Sequence, residues 1–320
     1  MAFRVTESMI QIGRDLMEKK KVTESTATAY VKVLYMLNDK LAFKNLAFLK
    51  KTDDIVNKIA SYADNTQKSI YTAVTSVLSM FKDKPTYKKV YNFYYEKMMG
   101  KAKDIRDNNN PSEKTEKQQE AWLSWAEVQN KKATMKAEIL KFCDNKNVSP
   151  EQFSAILAYL VLCIYSDIPP RRNQDYLHMV VVKKWVDSMP TDTNYLDIMG
   201  SQFIFNKFKT AKTYGQQKVA IPNDLFSTII CYLRHHPIGK FKKSNNYQFL
   251  VNTDGSPVTA VNAITRILNK IFGKKIGSSM LRHIYITDKY GETKNQQEAD
   301  AEAMGHSVAE QQGTYNVPLN

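Results

Sequence analysis

The chain has 320 residues, 43% of them hydrophobic, and a formal net charge of +14 from 46 Lys and Arg against 32 Asp and Glu. That apolar content excludes a disordered tail, and the length predicts two domains. The positive balance suits a polyanion, nucleic acid first, although an AT-rich genome also raises lysine, asparagine and tyrosine together.

Three cysteines, Cys143, Cys163 and Cys231, are widely spaced and form no CxxC pair. The sequence therefore predicts neither a disulfide framework nor a zinc site, and it fits a reducing compartment. The opening MAFRVTESMIQIGRDLMEKKK lacks the long apolar core of a signal peptide. The longest apolar run, FSAILAYLVLCIYS, is about 14 residues and suits a buried helix better than a membrane span. There is no GxxxxGK[ST], so a P-loop nucleotide engine is not expected.

Residues 1–103 read as a helical domain. TESTATAYVKVLYMLNDKLAF opens on the cap residues Thr23 or Ser25 and places Ala29, Val33, Met36 and Leu37 on one side. DDIVNKIASY, TQKSIYTAVTSVLSMF (starting after Asn65 or Thr66) and PTYKKVYNFYYEKMMGKAKDI continue the pattern. The last of these carries Pro85 at its start, where proline is tolerated. The stretch is basic and rich in tyrosine, and such side chains can lie along a sugar-phosphate backbone. A polar linker is expected over residues 104–117, around Pro111.

Residues 118–320 read as a second domain. One helix, EKQQEAWLSWAEVQNKKATMKAEILKF, offers Trp122 and Trp125 as packing anchors. A buried helix follows, with Ser149 as its cap, Pro150 in the first turn and Gln152 at the capping-box position. HMVVV and NYLDIM are short strands, and SQFIFNKFKTAKTYGQQKVAIP is a hairpin with Phe203, Phe205 and Phe208 and a turn at Gly215. The final third is helical again. The expected fold is mainly α with a small antiparallel β-sheet.

Several residues in this domain carry chemistry. SDIPPRRNQDYLHM puts Arg171 and Arg172 where the buried helix ends, with Asp175 one turn on, spaced to hold the Arg172 guanidinium. SSMLRHIYIT sets Arg282 and His283 in an otherwise apolar helix. Lys207, Lys209 and Lys212 lie toward the hairpin tip, where lysines are ordinarily just solvated. No cluster of acids has the spacing of a two-metal nuclease, so no metal or other cofactor is expected.

The order Arg, Lys, Arg, His, Tyr, with MLRHIYIT, MGHSVAEQQGTYN and PPRRNQDY, resembles the tyrosine recombinase (phage integrase) family, in the style of recombinases of large DNA viruses and their satellites. The resemblance implies a two-domain clamp: a helical core-binding domain joined to an α+β catalytic domain. It implies a site-specific recombinase or integrase that cleaves and rejoins DNA through a covalent 3′-phosphotyrosine, without metal or ATP. Tyr315 is then the nucleophile, Arg172 and Arg282 hold the scissile phosphate, and His306 assists proton movement. Lys209 protonates the leaving oxygen, with Lys212 the runner-up, and Asp175 orients Arg172. Arg171, Lys207 and Lys212 contact DNA, and His283 supports the site. Ser279 stands where the family usually has a histidine, which implies weaker acid–base help. NVPLN after Tyr315 is short for a segment that docks on a neighbour. The implied partners are double-stranded DNA and further copies of the chain, a tetramer on DNA. The implied location is inside the cell, at DNA. Two alternatives share these residues: type IB topoisomerase-like relaxation, and a DNA-binding relative without chemistry.

Overall fold

The computed structural model of the protein describes residues 5–108, 114–239, 246–304 and 308. The chain divides into two compact units, Met1–Glu113 and Lys114–Asn320.

The first unit is helical: α1 (Glu7–Lys20), α2 (Glu24–Leu37), α3 (Thr52–Ala60), α4 (Asp64–Leu78) and α5 (Pro85–Asn108). Thr23 is the cap of α2, its side chain accepting from the Thr26 N–H. The face that α2 buries is Ala27, Val31, Leu34 and Leu37, not the stripe through Ala29, Val33 and Met36. ESTATAYVKVLYML is apolar around much of its circumference, so two stripes compete. Packing against α1 and α4 selects between them. α4 starts at Asp64, slightly earlier than the sequence suggests, with an acidic side chain in the electropositive first turn. Residues 104–108, expected in the linker, are the last turns of α5. Of α5 only Tyr94 is buried, and its hydroxyl donates to the Leu49 carbonyl at 2.8 Å.

The second unit begins with α6 (Glu116–Ala121) and α7 (Trp125–Leu140), two helices where the sequence suggests one. The break has a local cause. Ser124 and Glu127 form a capping box, and Trp122 is extended at the end of α6. Trp122 and Trp125 do pack against the core. α8 (Pro150–Ile164) has the expected Ser149–Gln152 capping box and is the buried centre of the unit, with Leu160 through Ile164 fully enclosed.

After the short α9 (Gln174–Leu177) come β1 (Val180–Val182), β2 (Tyr195–Asp197) and β3 (Gln202–Phe205). α10 (Ala211–Tyr214), β4 (Gln217–Ala220), α11 (Asn223–Arg234), β5 (Tyr247–Gln248), α12 (Ala263–Phe272) and α13 (Ser278–Met304) complete the order. The sheet runs β4-β3-β2-β1-β5. It is mixed rather than antiparallel, because β1 pairs with β2 in parallel while the other neighbours are antiparallel. Strand alternation divides its residues between two apolar clusters. Val181, Leu196, Phe203 and Phe205 join the main core, while Val182, Tyr195 and Ile204 pack with Trp185 on the other face.

Cys143 and Cys231 are joined by a disulfide, which corrects the expectation of unpaired cysteines. Their sequence separation of 88 carries no local signal. The packing of α7 and α11 against α8 brings them together. Among the described residues no helix is long and apolar enough to cross a membrane.

Candidate functional site

The turn after α8 is held rigidly before it presents its arginines. Ser166 Oγ donates to the Leu162 carbonyl at 2.9 Å, and Asp167 is ion-paired with Lys132 of α7. Tyr165, fully buried, donates to Asn173 Oδ1 at 2.9 Å. Asn173 Nδ2 in turn donates to the Val261 carbonyl at 3.1 Å and Thr265 Oγ1 at 3.0 Å. Burial drives the Tyr165 hydroxyl far above the ordinary phenol value, against the opposing pull of the Arg282 charge, so it stays a neutral donor.

The two adjacent arginines have different surroundings. Arg171 Nε donates to Asp175 Oδ2 at 3.0 Å and its Nη1 donates to Gln217 Oε1 at 2.7 Å. Its guanidinium carbon lies 3.8 Å from the Phe205 ring centroid and 5.0 Å from that of Phe208. Asp175 therefore pairs with Arg171, not with Arg172 as the three-residue spacing suggested. Arg171 reaches it across i,i+4. The Asp175 carboxyl is raised from its ordinary value by burial, with the Arg171 charge pulling the other way. Arg172 is half-buried and makes no hydrogen bond or ion pair with another described side chain, so its fork is free for a ligand.

Arg282 sits near the start of α13, on the flank beside the buried pair Leu281 and Ile284. Its Nε donates to the Ser278 carbonyl at 3.3 Å and its Nη2 to Ser279 Oγ at 3.2 Å. Ser279 thus touches Arg282 directly. His283 is exposed.

Arg171, Arg172 and Arg282 line one cleft of about 220 Å³, together with Asp175, Thr210, Tyr214 and Gln217. The hairpin wall of this cleft is the segment between β3 and β4. It leaves β3 after Phe205 and returns at Gln217, and Phe205 and Gln217 are register partners. Gly215 adopts φ +64, which suits a residue without Cβ. Lys207, Lys209 and Lys212 are exposed on this segment and have no ion pair among the described residues. Phe208 does not continue the strand alternation; it lies beyond β3 and packs against the core. His306 and Tyr315 lie outside the described residues.

Asn194 and Gln217 were not singled out from the sequence. Asn194 is 5% exposed and uses both ends of its amide. Its Oδ1 accepts from the N–H groups of Asn206 at 2.9 Å and Lys207 at 2.8 Å. Its Nδ2 donates to the carbonyls of Asp175 at 2.8 Å and Lys207 at 2.9 Å. Asparagine just before a strand is an ordinary turn signal, so nothing local marked this one. Tyr214, 66% exposed at the cleft, was likewise unmarked.

Among the described residues no group of three His, Cys, Asp or Glu side chains is arranged to hold a metal ion. No family model, curated protein or solved structure matches the chain.

Proposed function

We propose that the protein is a tyrosine-type DNA strand transferase, a site-specific recombinase or integrase acting on double-stranded DNA inside the cell, as a tetramer of this chain. The observation that carries the reading is that Arg172 and Arg282, far apart in sequence, line one cleft beside the lysine-bearing hairpin. Two fixed guanidinium groups suit the non-bridging oxygens of a phosphodiester and stabilise the added charge of a pentavalent phosphorus without rearranging.

In this reaction the Tyr315 oxygen attacks phosphorus and the bond from phosphorus to the 5′-oxygen breaks. The phenolic proton passes to water with the help of His306, and Lys209 or Lys212 gives a proton to the departing 5′-oxygen. The phosphotyrosine conserves the bond, so a second 5′-hydroxyl can reverse the step without ATP. Ser279, in this chain a hydrogen-bond partner of Arg282, then serves to orient that guanidinium rather than to move protons.

A nicked suicide duplex of the cognate site tests the reading, since loss of the short 5′ strand traps the covalent adduct. Wild type is expected to accumulate adduct, Tyr315→Phe to give none, and Arg172→Ala or Arg282→Ala to slow it by about 10²–10³. Duplex binding with no adduct on the cognate site would establish the DNA-binding relative instead. Supercoil relaxation without joined duplexes would establish the topoisomerase.

A further inference from the structure

We infer that Arg171 is a positioning residue that fixes the lysine-bearing segment against the cleft, and is not a ligand of the phosphate; this rests on the strand-transfer reading above. The segment from 206 to 216 is held at both ends from one place, the Asp175 peptide and its side chain. At the far end, Asp175 Oδ2 accepts from Arg171, whose Nη1 holds Gln217 at 2.7 Å. At the near end, the Asp175 carbonyl accepts from Asn194, which also grips Asn206 and Lys207 through three backbone hydrogen bonds. Gln216 Nε2 closes the neck by donating to Asn206 Oδ1 at 2.6 Å.

Arg171 is committed to this arrangement. Its side chain is only 17% exposed, it holds the nearly inaccessible Asp175 carboxylate, and Phe205 and Phe208 both lie against its guanidinium. Turning the guanidinium toward a phosphate would strand a buried carboxylate, which is costly. Arg172 has no such obligation and carries the phosphate contact. The lysines Lys209 and Lys212 are exposed on the clamped segment, whose Phe208, Thr210 and Tyr214 line the cleft, so their placement depends on the clamp.

Leaving-group chemistry separates positioning from phosphate binding. With a bridging 5′-oxygen, the phosphorus–oxygen bond breaks and the alkoxide takes a proton from a lysine. With sulfur in that bridge, the phosphorus–sulfur bond breaks and the thiolate leaves unprotonated. The full chain would be assayed on nicked suicide duplexes of each kind. Arg171→Lys and Gln217→Leu are expected to slow adduct formation about 10²-fold or more on the oxygen substrate. Both are expected to return to within a few-fold of wild type on the sulfur substrate, while Arg172→Ala stays slow on both. Gln217→Leu keeps the Arg171–Asp175 ion pair, so it carries the test if Arg171→Lys fails to fold. Variants equally slow on both substrates would make Arg171 a phosphate ligand and overturn the inference. So would variants as fast as wild type on both. Wild type that forms no adduct on either substrate overturns the strand-transfer reading itself, and the inference with it.

Discussion

In residues 5–108 the buried polar side chains are Gln67 and Thr75, both satisfied by nearby carbonyls. In residues 114–304 they include Asp175, Asn194, Asp197, His235 and His236. The positive charge does not follow this division. Residues 1–113 hold 20 basic and 13 acidic side chains, and residues 114–320 hold 26 and 19, an excess of seven in each. Both units therefore carry the same positive excess, but among the described residues only the second buries charged side chains, Asp175 and Asp197. Buried polar groups are tolerated where they fix something an apolar core cannot fix. Here that is the direction of Arg171, held by Asp175, and the two ends of a loop. The first unit holds itself together as a helical bundle does, by Leu, Ile and Val stripes whose positions have many solutions.

Four outcomes would break or sharpen this comparison. The largest concerns the charge that the two units share. If duplex DNA binding engages about 6–10 phosphates, affinity falls about 10³–10⁵-fold between roughly 50 and 200 mM salt. Charge-neutralising substitutions in either unit should flatten that slope. A shallow slope that only second-unit substitutions alter would confine the contact to the second unit.

Next in size is the crosslink. The disulfide closes a loop that contains α8, the arginine turn and β1 to β4, so opening it should cost the second unit up to about 4–5 kcal/mol. Arg234 pairs with Asp144, and His235 Nε2 lies 2.8 Å from the Cys143 carbonyl. These keep the two ends together when the bond is gone. Cys143→Ser is therefore expected to lower the denaturant midpoint of the second unit and leave that of the first unchanged. Burial raises the Cys163 thiol to about 12, so alkylation of the native reduced chain should modify the partly exposed Cys143 and spare Cys163.

A smaller effect lies in the first unit. Tyr94→Phe removes the hydroxyl that satisfies the Leu49 carbonyl, at a cost of about 1–3 kcal/mol. Urea unfolding should show it in that unit alone. The smallest effect is graded with pH. Burial lowers the His236 pKa, partly offset by the Phe249 and Gln248 carbonyls that its Nε2 faces. A base whose folded value is depressed contributes stability above its unfolded value, and that contribution fades as pH falls through the folded value. The second unit should thus weaken below about pH 6.5. His236→Gln, compared across the same range, should flatten that dependence. Unchanged dependence in the variant would assign it to another group.

How much of this was legible depended on how local the cause was. The cap at Ser149 with Gln152 is written within four residues and could be read directly. The same signature at Ser124 and Glu127 is equally local, yet it falls inside a stretch that reads as one helix. The choice of Asp175 as a guanidinium partner was legible, whereas its choice of Arg171 over Arg172 was not. Adjacent arginines at i−4 and i−3 can both reach it, and the rings of Phe205 on β3 and Phe208 just beyond it lie against Arg171 and decide the matter. The mixed sheet was hidden because β5 contributes only Tyr247 and Gln248, and because a parallel β1–β2 pair leaves no hairpin signal between them. Convergence of Arg172 and Arg282 on one cleft is a property of α8 and α13 in three dimensions, and spacing alone is silent about it.

The most direct measurement is mass-spectrometric mapping of the tyrosine that becomes covalently attached to a suicide duplex by the wild-type chain. Attachment at Tyr315, lost in Tyr315→Phe, is the expected result. Attachment at Tyr214, the tyrosine that lines the cleft among the described residues, or an unmodified chain after full binding of the duplex, would contradict the account.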